Sequence, residues 1–262
     1  MSSSSPGGNG AVNDTGSHEN EKFSVRQHDH LIARTMRDID VDRGLAKEIN
    51  LSDTDPAIAA GDSLFIEFVA ACEKVVEAPS GPIETRDAVA ALTKNLASQW
   101  TMSDPNFRQL QPGAPYSSYQ LYLNALEDLS IVVDIFAPGQ IAPIHNHCCW
   151  GVFVCLEGEE LERRYTVPDD LSGRPIETKV IRNSPGEISV ASPARNAFHQ
   201  VECLGDVPAT SLHIYGANIK ALKRNRWDED SGRFVGFQSG ADPSRRQARH
   251  YLTPAGLGRA LT

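Results

Sequence analysis

The sequence predicts a mainly β protein, an antiparallel sandwich or barrel that follows a helical region. Two observations carry this. Between residues 119 and 215, short runs rich in β-branched and aromatic side chains succeed one another, and Gly, Pro, Asn or Asp separates most of them. That rhythm belongs to all-β domains built from many short strands. Between residues 62 and 99 the apolar side chains recur every three or four positions instead, the period of an amphipathic helix.

Each segment is justified in turn. Residues 1–22 are rich in Ser, Gly, Asn and acidic side chains and offer almost nothing to bury, so they read as a disordered tail. They lack the basic start and apolar stretch of a secretory signal. No later run is long and apolar enough for a transmembrane helix. The expectation is a cytoplasmic protein with no membrane partner. Residues 23–106 form the helical region that packs on the barrel, with 27–47 as its weaker helix. The helix over 62–78 places Leu64, Phe68, Cys72 and Val75 or Val76 on one face. Ser80-Gly81-Pro82 breaks the chain. A second helix over 85–99 buries Val89, Leu92 and Leu96.

The barrel spans 107–226, with strands over 119–123, 130–137, 151–156, 161–167, 176–181, 187–191, 200–203 and 210–215. Glu157-Gly158-Glu159 is a hairpin turn. Residues 227–262 form a C-terminal extension, polar and with a basic cluster at Arg245, Arg246 and Arg249, read as a solvated tail on the barrel.

The chain of 262 residues is 40% hydrophobic, enough for a sizeable core, and its formal net charge is −9. Such a charge argues against a nucleic-acid partner. The five cysteines are an odd number, Cys148 and Cys149 are adjacent, and no paired zinc spacing occurs. Free thiols in a reducing compartment follow.

The most informative stretch runs from Pro138 to His147. His145 and His147, two apart on a strand, point to one face, and neutral imidazole suits iron, copper, nickel or zinc. Taken alone, the pair reads as two histidines hydrogen-bonded in a loop before it reads as a metal site. Its surroundings resemble the first metal-binding motif of the cupin superfamily, with Gly139, His145, His147 and Gly158 at the matching places. The usual glutamate is missing, because Trp150-Gly151-Val152 occupies its region. Gly186, Pro193 and His199 resemble the second motif, with Cys203 where an asparagine is usual. The resemblance implies a cupin double-stranded β-helix (a jelly-roll barrel) and makes His199 the third ligand. Three neutral imidazoles leave a ferrous ion its full charge and open positions, which attract an anionic ligand such as a thiolate. This differs from the arrangement of two histidines and one carboxylate. A hydrolytic zinc site stays open on ligand identity alone.

Ser211, His213 and Tyr215 alternate along one strand and can all face the interior. By spacing alone they form an ordinary buried hydrogen-bond cluster. Following a three-histidine motif, the Ser-x-His-x-Tyr run resembles the thiol dioxygenases, the cysteine and 3-mercaptopropionate dioxygenase family. His147-Cys-Cys-Trp150-Gly151 is similar to its bacterial branch. The resemblance implies Fe(2+) at His145, His147 and His199. It also implies a catalytic relay of Ser211, His213 and Tyr215 whose tyrosine hydroxyl points at bound substrate or oxygen. The cysteine that mammalian-type relatives crosslink to this tyrosine would fall near Gly151 or Val152, so no crosslink is expected. The run from Tyr215 to Arg224 implies that Arg224 holds a substrate carboxylate; a solvated basic patch at Lys220, Lys223, Arg224 and Arg226 is the alternative. On the early strand, Tyr116-Ser-Ser-Tyr-Gln120 puts serine where relatives carry Arg or Gln, which leaves the thiol open. The implied partners are O2 and a small carboxylate-bearing thiol, resembling cysteine or 3-mercaptopropionate, converted to its sulfinate. Two other readings stand beside this one: a metal-dependent lyase, isomerase or carbon-skeleton dioxygenase, and a non-catalytic cupin that senses a ligand.

Overall fold

A computed structural model describes residues 63–102 and 107–239. The expected tail at 1–22, the helix at 27–47 and the cluster of Arg245, Arg246 and Arg249 lie outside the described residues.

The helical pattern folds into α1 (Ser63–Glu77) and α2 (Pro82–Ala97). Pro82 occupies the first turn of α2 after an extended Gly81, a place where its missing N–H costs nothing. The buried face of α1 carries Phe65, Ile66, Phe68, Val69 and Cys72, whereas Leu64 is exposed. Phe68 and Cys72 are thus buried as expected, and Phe65, stacked on Trp100 with ring centroids 4.9 Å apart, takes the place expected of Leu64. In α2, Val89, Leu92 and Leu96 are buried as expected.

The strands are β1 (Tyr116–Leu123), β2 (Ser130–Phe136), β3 (His145–Asn146), β4 (Gly151–Glu157), β5 (Glu159–Thr166), β6 (Ile176–Asn183), β7 (Ile188–Ala191), β8 (Ala197–Leu204), β9 (Ala209–Tyr215), β10 (Arg224–Asp228) and β11 (Arg233–Phe237). They form a five-stranded sheet, β1-β2-β9-β4-β7, and a six-stranded sheet, β11-β10-β3-β8-β5-β6. Every pairing is antiparallel. Neighbours in each sheet are seldom neighbours in sequence, the crossing pattern of a jelly roll. The protein is mainly β with the cupin double-stranded β-helix.

The five-stranded sheet is buried on both faces, so β2 and β9 contain no exposed residue. Ile131, Val133, Ile135, Leu212 and Ile214 share one apolar cluster with the helices. Side chains alternate across a strand, which turns Val132, Asp134, Ser211, His213 and Tyr215 to the barrel interior. The helices therefore supply an apolar lining to one face, and the other face is left for chemistry.

Gly158 makes the β4–β5 turn with φ +72°, and a Cβ there would stand 2.6 Å from the Pro208 carbonyl oxygen. Only glycine meets both conditions. Strand pairing continues through Phe237, past the expected barrel limit of 226. The two last strands are too polar to announce themselves, and β11 is an edge strand with no fully buried residue. No helix among the described residues is long and apolar enough to cross a membrane.

Candidate metal centre

Strand pairing assembles the histidines. The short strand β3 lies between β8 and β10, with His145 directly opposite His199 on one side and Arg226 on the other. His147 follows two residues later. Ring centroids are 4.7 Å apart for His145–His199 and His147–His199, and 5.0 Å for His145–His147. Their ligand atoms all lie within 4.8 Å of one another.

The donor set fits a divalent transition metal. His145 Nδ1 is 2.8 Å from the Pro143 carbonyl, which can only accept, so Nδ1 carries the proton and Nε2 keeps its lone pair. His199 Nδ1 is 3.1 Å from Glu162 Oε1 and is fixed in the same way. Burial, reinforced by the neighbouring histidines and Arg224, holds His145 and His147 well below the usual imidazole range. They are neutral at pH 7, the form that binds metal. Among the described residues no carboxylate joins the three. Glu162 stands behind His199 instead. Burial raises its carboxyl, but the His199 hydrogen bond and Arg164 outweigh that and bring it down to about 2.

The three histidines border a cavity of about 420 Å³ that also exposes Asp134, His213, Tyr215 and Arg224. The Ser211, His213 and Tyr215 side chains form a continuous chain, of which His213 and Tyr215 line the cavity. Ser211 Oγ is 2.8 Å from His213 Nε2, and His213 Nδ1 is 2.9 Å from the Tyr215 hydroxyl. The Tyr215 ring lies 5.1 Å from that of His147, which joins the chain to the histidine group. Burial lowers the His213 imidazole, and burial together with Asp134 raises the Tyr215 phenol well above its ordinary value. Both are neutral at pH 7, so the tyrosine keeps a hydrogen to donate.

Two acids that the sequence did not single out adjoin this chain. Asp134 Oδ2 is 3.6 Å from His213 Nδ1. Glu160 stands by Ser211 at the far end; burial lifts its carboxyl to about 7, while the Ser211 hydroxyl pulls it down. Asp134 Oδ1 and Glu160 Oε1 have no hydrogen-bond partner among the described residues. A single acid inside the apolar run of β2 was the available signal for Asp134. Glu160 and Glu162 sit among the many charges of β5, and nothing in the sequence sets them apart.

Arg224 is only 5% exposed, so it is not part of a solvated patch. Its guanidinium lies 4.5 Å over the Phe237 ring and donates to Ser239, while Nε has no partner among the described residues. Burial lowers its pKa, yet a guanidinium stays charged. It is a desolvated cation facing the cavity with no acidic partner among the described residues. Ser118, the serine on the early strand, lines the same cavity. Gly151 stands opposite Tyr215, and a Cβ there would meet the Phe153 ring at 2.8 Å. That position thus offers no sulfur to the tyrosine; Cys149 packs in the same cluster as Tyr215 by another route.

The auxin binding protein family model matches residues 120–212. Auxin-binding protein 1 of Arabidopsis thaliana is 34% identical over 98 residues, 36% of this chain and 50% of that protein. Auxin-binding protein T85 of Nicotiana tabacum is 33% identical over 87 residues, 32% of this chain and 43% of that protein. The chain thus spans about half the length of the curated relatives it matches. Among solved structures, oxalate oxidase in complex with the substrate analogue glycolate is 21% identical, with 45% of this chain and 59% of that chain covered at a TM-score of 0.35. A Klebsiella pneumoniae protein with a double-stranded β-helix domain is 15% identical, with 53% and 96% covered, also at 0.35. The family match contains His145, His147, His199 and Ser211, and stops before His213, Tyr215 and Arg224. This chain is a cupin-fold protein whose barrel carries three histidines able to hold a metal ion.

Proposed function

We propose that the protein is a non-haem iron thiol dioxygenase that converts a small carboxylate-bearing thiol and O2 to the sulfinate. The observation that carries the reading is the convergence of three different groups on one cavity: the histidine triad, the buried Tyr215 hydroxyl and the Arg224 guanidinium, which has no acidic partner among the described residues. An Fe(2+) ion held by His145, His147 and His199 would supply open positions for a thiolate and for O2. Arg224 binds the carboxylate through its planar fork and sets the distance from carboxylate to sulfur. Tyr215 donates a hydrogen bond toward the reacting end, and His213 and Ser211 fix the angle of its hydroxyl. Val132, Phe136 and Ile219 give the cavity apolar walls that limit water. The net change is R–SH + O2 → R–SO2H, with both oxygen atoms ending on sulfur.

The test is oxygen uptake by the protein after anaerobic loading with Fe(2+), across cysteine, 3-mercaptopropionate, mercaptosuccinate and cysteamine. One thiol should consume O2 in equal amount to the sulfinate formed. Tight zinc with no uptake across the panel would refute the reading, and turnover needing no thiol would point to a metal-dependent cupin enzyme acting on carbon. A second reading, a non-catalytic ligand-binding cupin, is favoured by the match to the auxin binding protein model over the segment that holds the three histidines. It predicts saturable binding of an auxin, unchanged by Tyr215→Phe, and no turnover.

A further inference from the structure

We infer that Phe237 and Ser239 complete the carboxylate site: the Phe237 ring positions the Arg224 guanidinium, and the Ser239 hydroxyl donates its own hydrogen to the carboxylate that Arg224 holds. That the carboxylate belongs to a thiol rests on the function proposed above; the place made for a carboxylate rests on the cavity itself.

Both residues come from the end of β11 and the turn beyond it. In the β10–β11 ladder Phe237 stands directly opposite Arg224, and facing residues of an antiparallel pair carry their side chains on one face, about 5 Å apart. The ring takes up that position, 4.5 Å from the guanidinium carbon, and it also lies 6.3 Å from the His145 ring. One aromatic side chain thus ties the cation to the histidine group. Strand β10 is anchored in turn, since Asn146 Oδ1 accepts from the Asn225 amide at 2.8 Å. Arg224 has no acidic partner among the described residues to fix its direction. The flat face against its planar fork does so instead.

Ser239 follows two residues later, and its oxygen accepts a hydrogen bond from Arg224 Nη2. A hydroxyl offers one hydrogen and two lone pairs. The guanidinium uses a lone pair, and the hydrogen has no acceptor among the described residues. Arg224, Phe237, Gln238 and Ser239 all line the cavity. The Gln238 side-chain amide donates to the Ala221 carbonyl and so holds this segment in the wall. Arg224 Nε also has no partner among the described residues. A carboxylate has two oxygens, enough to accept from the guanidinium and from the serine at once.

The competing account is that the two residues only pack over Arg224. Calorimetric titration of the full-length protein with propionate separates the two. Ser239→Ala should weaken propionate binding about tenfold, the loss of one hydrogen bond to a charged group. Ser239→Thr, which keeps the hydroxyl, should bind within about twofold of the parent. Phe237→Leu, apolar but without an aromatic face, should weaken binding about three- to tenfold, and Phe237→Tyr should retain it. Undetectable propionate binding in the parent protein, unchanged binding in Ser239→Ala and Phe237→Leu, or an equal loss in the threonine and tyrosine variants would each overturn the inference. In turnover of a carboxylate-bearing thiol, both defects should appear as a raised KM with kcat reduced less than about threefold; a fall in kcat at constant KM would also overturn it. Oxygen uptake on such a thiol, with propionate binding indifferent to both residues, would remove this inference and support the thiol reading. Propionate binding that follows the four variants, with no oxygen uptake on any thiol, would do the reverse.

Discussion

Replacing Glu162 with glutamine removes the negative charge behind His199 while leaving an oxygen for its Nδ1–H to meet. In the native structure that contact is 3.1 Å, and the Glu162 carboxylate is nine-tenths buried with Arg164 as its other partner. A hydrogen bond to an ionised group contributes about 1.5–3 kcal/mol, and each 1.4 kcal/mol is a factor of ten in affinity. Glu162→Ala, which removes the acceptor and frees the imidazole, should therefore weaken metal binding about 10- to 100-fold, the range found for outer partners of metal-binding histidines. Glu162→Gln should fall between alanine and the native protein, since it keeps the tautomer and loses the charge. The assay is Co(2+) or Zn(2+) competition against a chromophoric chelator, with thermal unfolding of the metal-free proteins as a control for folding. If both variants bind metal as the native protein does while remaining folded, His199 is not a ligand oriented by Glu162, and the reasoning fails.

Three further outcomes are expected. Tyr215→Phe removes the hydroxyl 2.9 Å from His213 Nδ1; turnover should drop about 100-fold, the scale of losing one aimed donor, with KM changed less than about threefold in oxygen-electrode kinetics. Gly158→Ala forces a side chain into a left-handed turn and onto the Pro208 carbonyl oxygen; the left-handed conformation alone costs about 1–2 kcal/mol, and chemical denaturation should show a loss of at least about 2 kcal/mol. Glu160→Gln should change how stability depends on pH. The Glu160 carboxyl is lifted from its ordinary 4.5 to about 7 in the folded protein, so it stabilises the fold less and less as pH rises through that window. Relative to the native protein, the glutamine variant should gain on the order of 3 kcal/mol between pH 4 and pH 8, and denaturation profiles that stay parallel across this range would show that Glu160 is not held neutral.

Much of the barrel could be read in the chain because strands buried on one face alternate. Ser211, His213 and Tyr215 stood out as polar members of an otherwise apolar strand, and the structure places all three side chains in contact. The histidine pair was visible for the same reason. What escaped was set by partners distant in sequence. The strand holding His145 is only two residues long, too short for any periodicity, and exists because β8 and β10 flank it. The fully described length of β8 begins at Ala197, so His199 lies inside the strand rather than at its start. Glu160 and Glu162 did not stand out among the charges of β5, and only the closure of the barrel buries them. The burial of Arg224 depends on Phe237 and Ser239 in a segment expected to be solvated.

The column from Ser211 to Tyr215 also has a direction. For the phenol to donate into the cavity, its oxygen must accept from His213 Nδ1–H, and Asp134 Oδ2 lies 3.6 Å from the same nitrogen. Nε2 must then accept from the Ser211 hydroxyl. Each link holds one hydrogen, so no bond can reverse without its neighbours reversing too. Which way the tyrosine points is thus a collective property of three side chains, set in part by Ser211, which has no exposed surface.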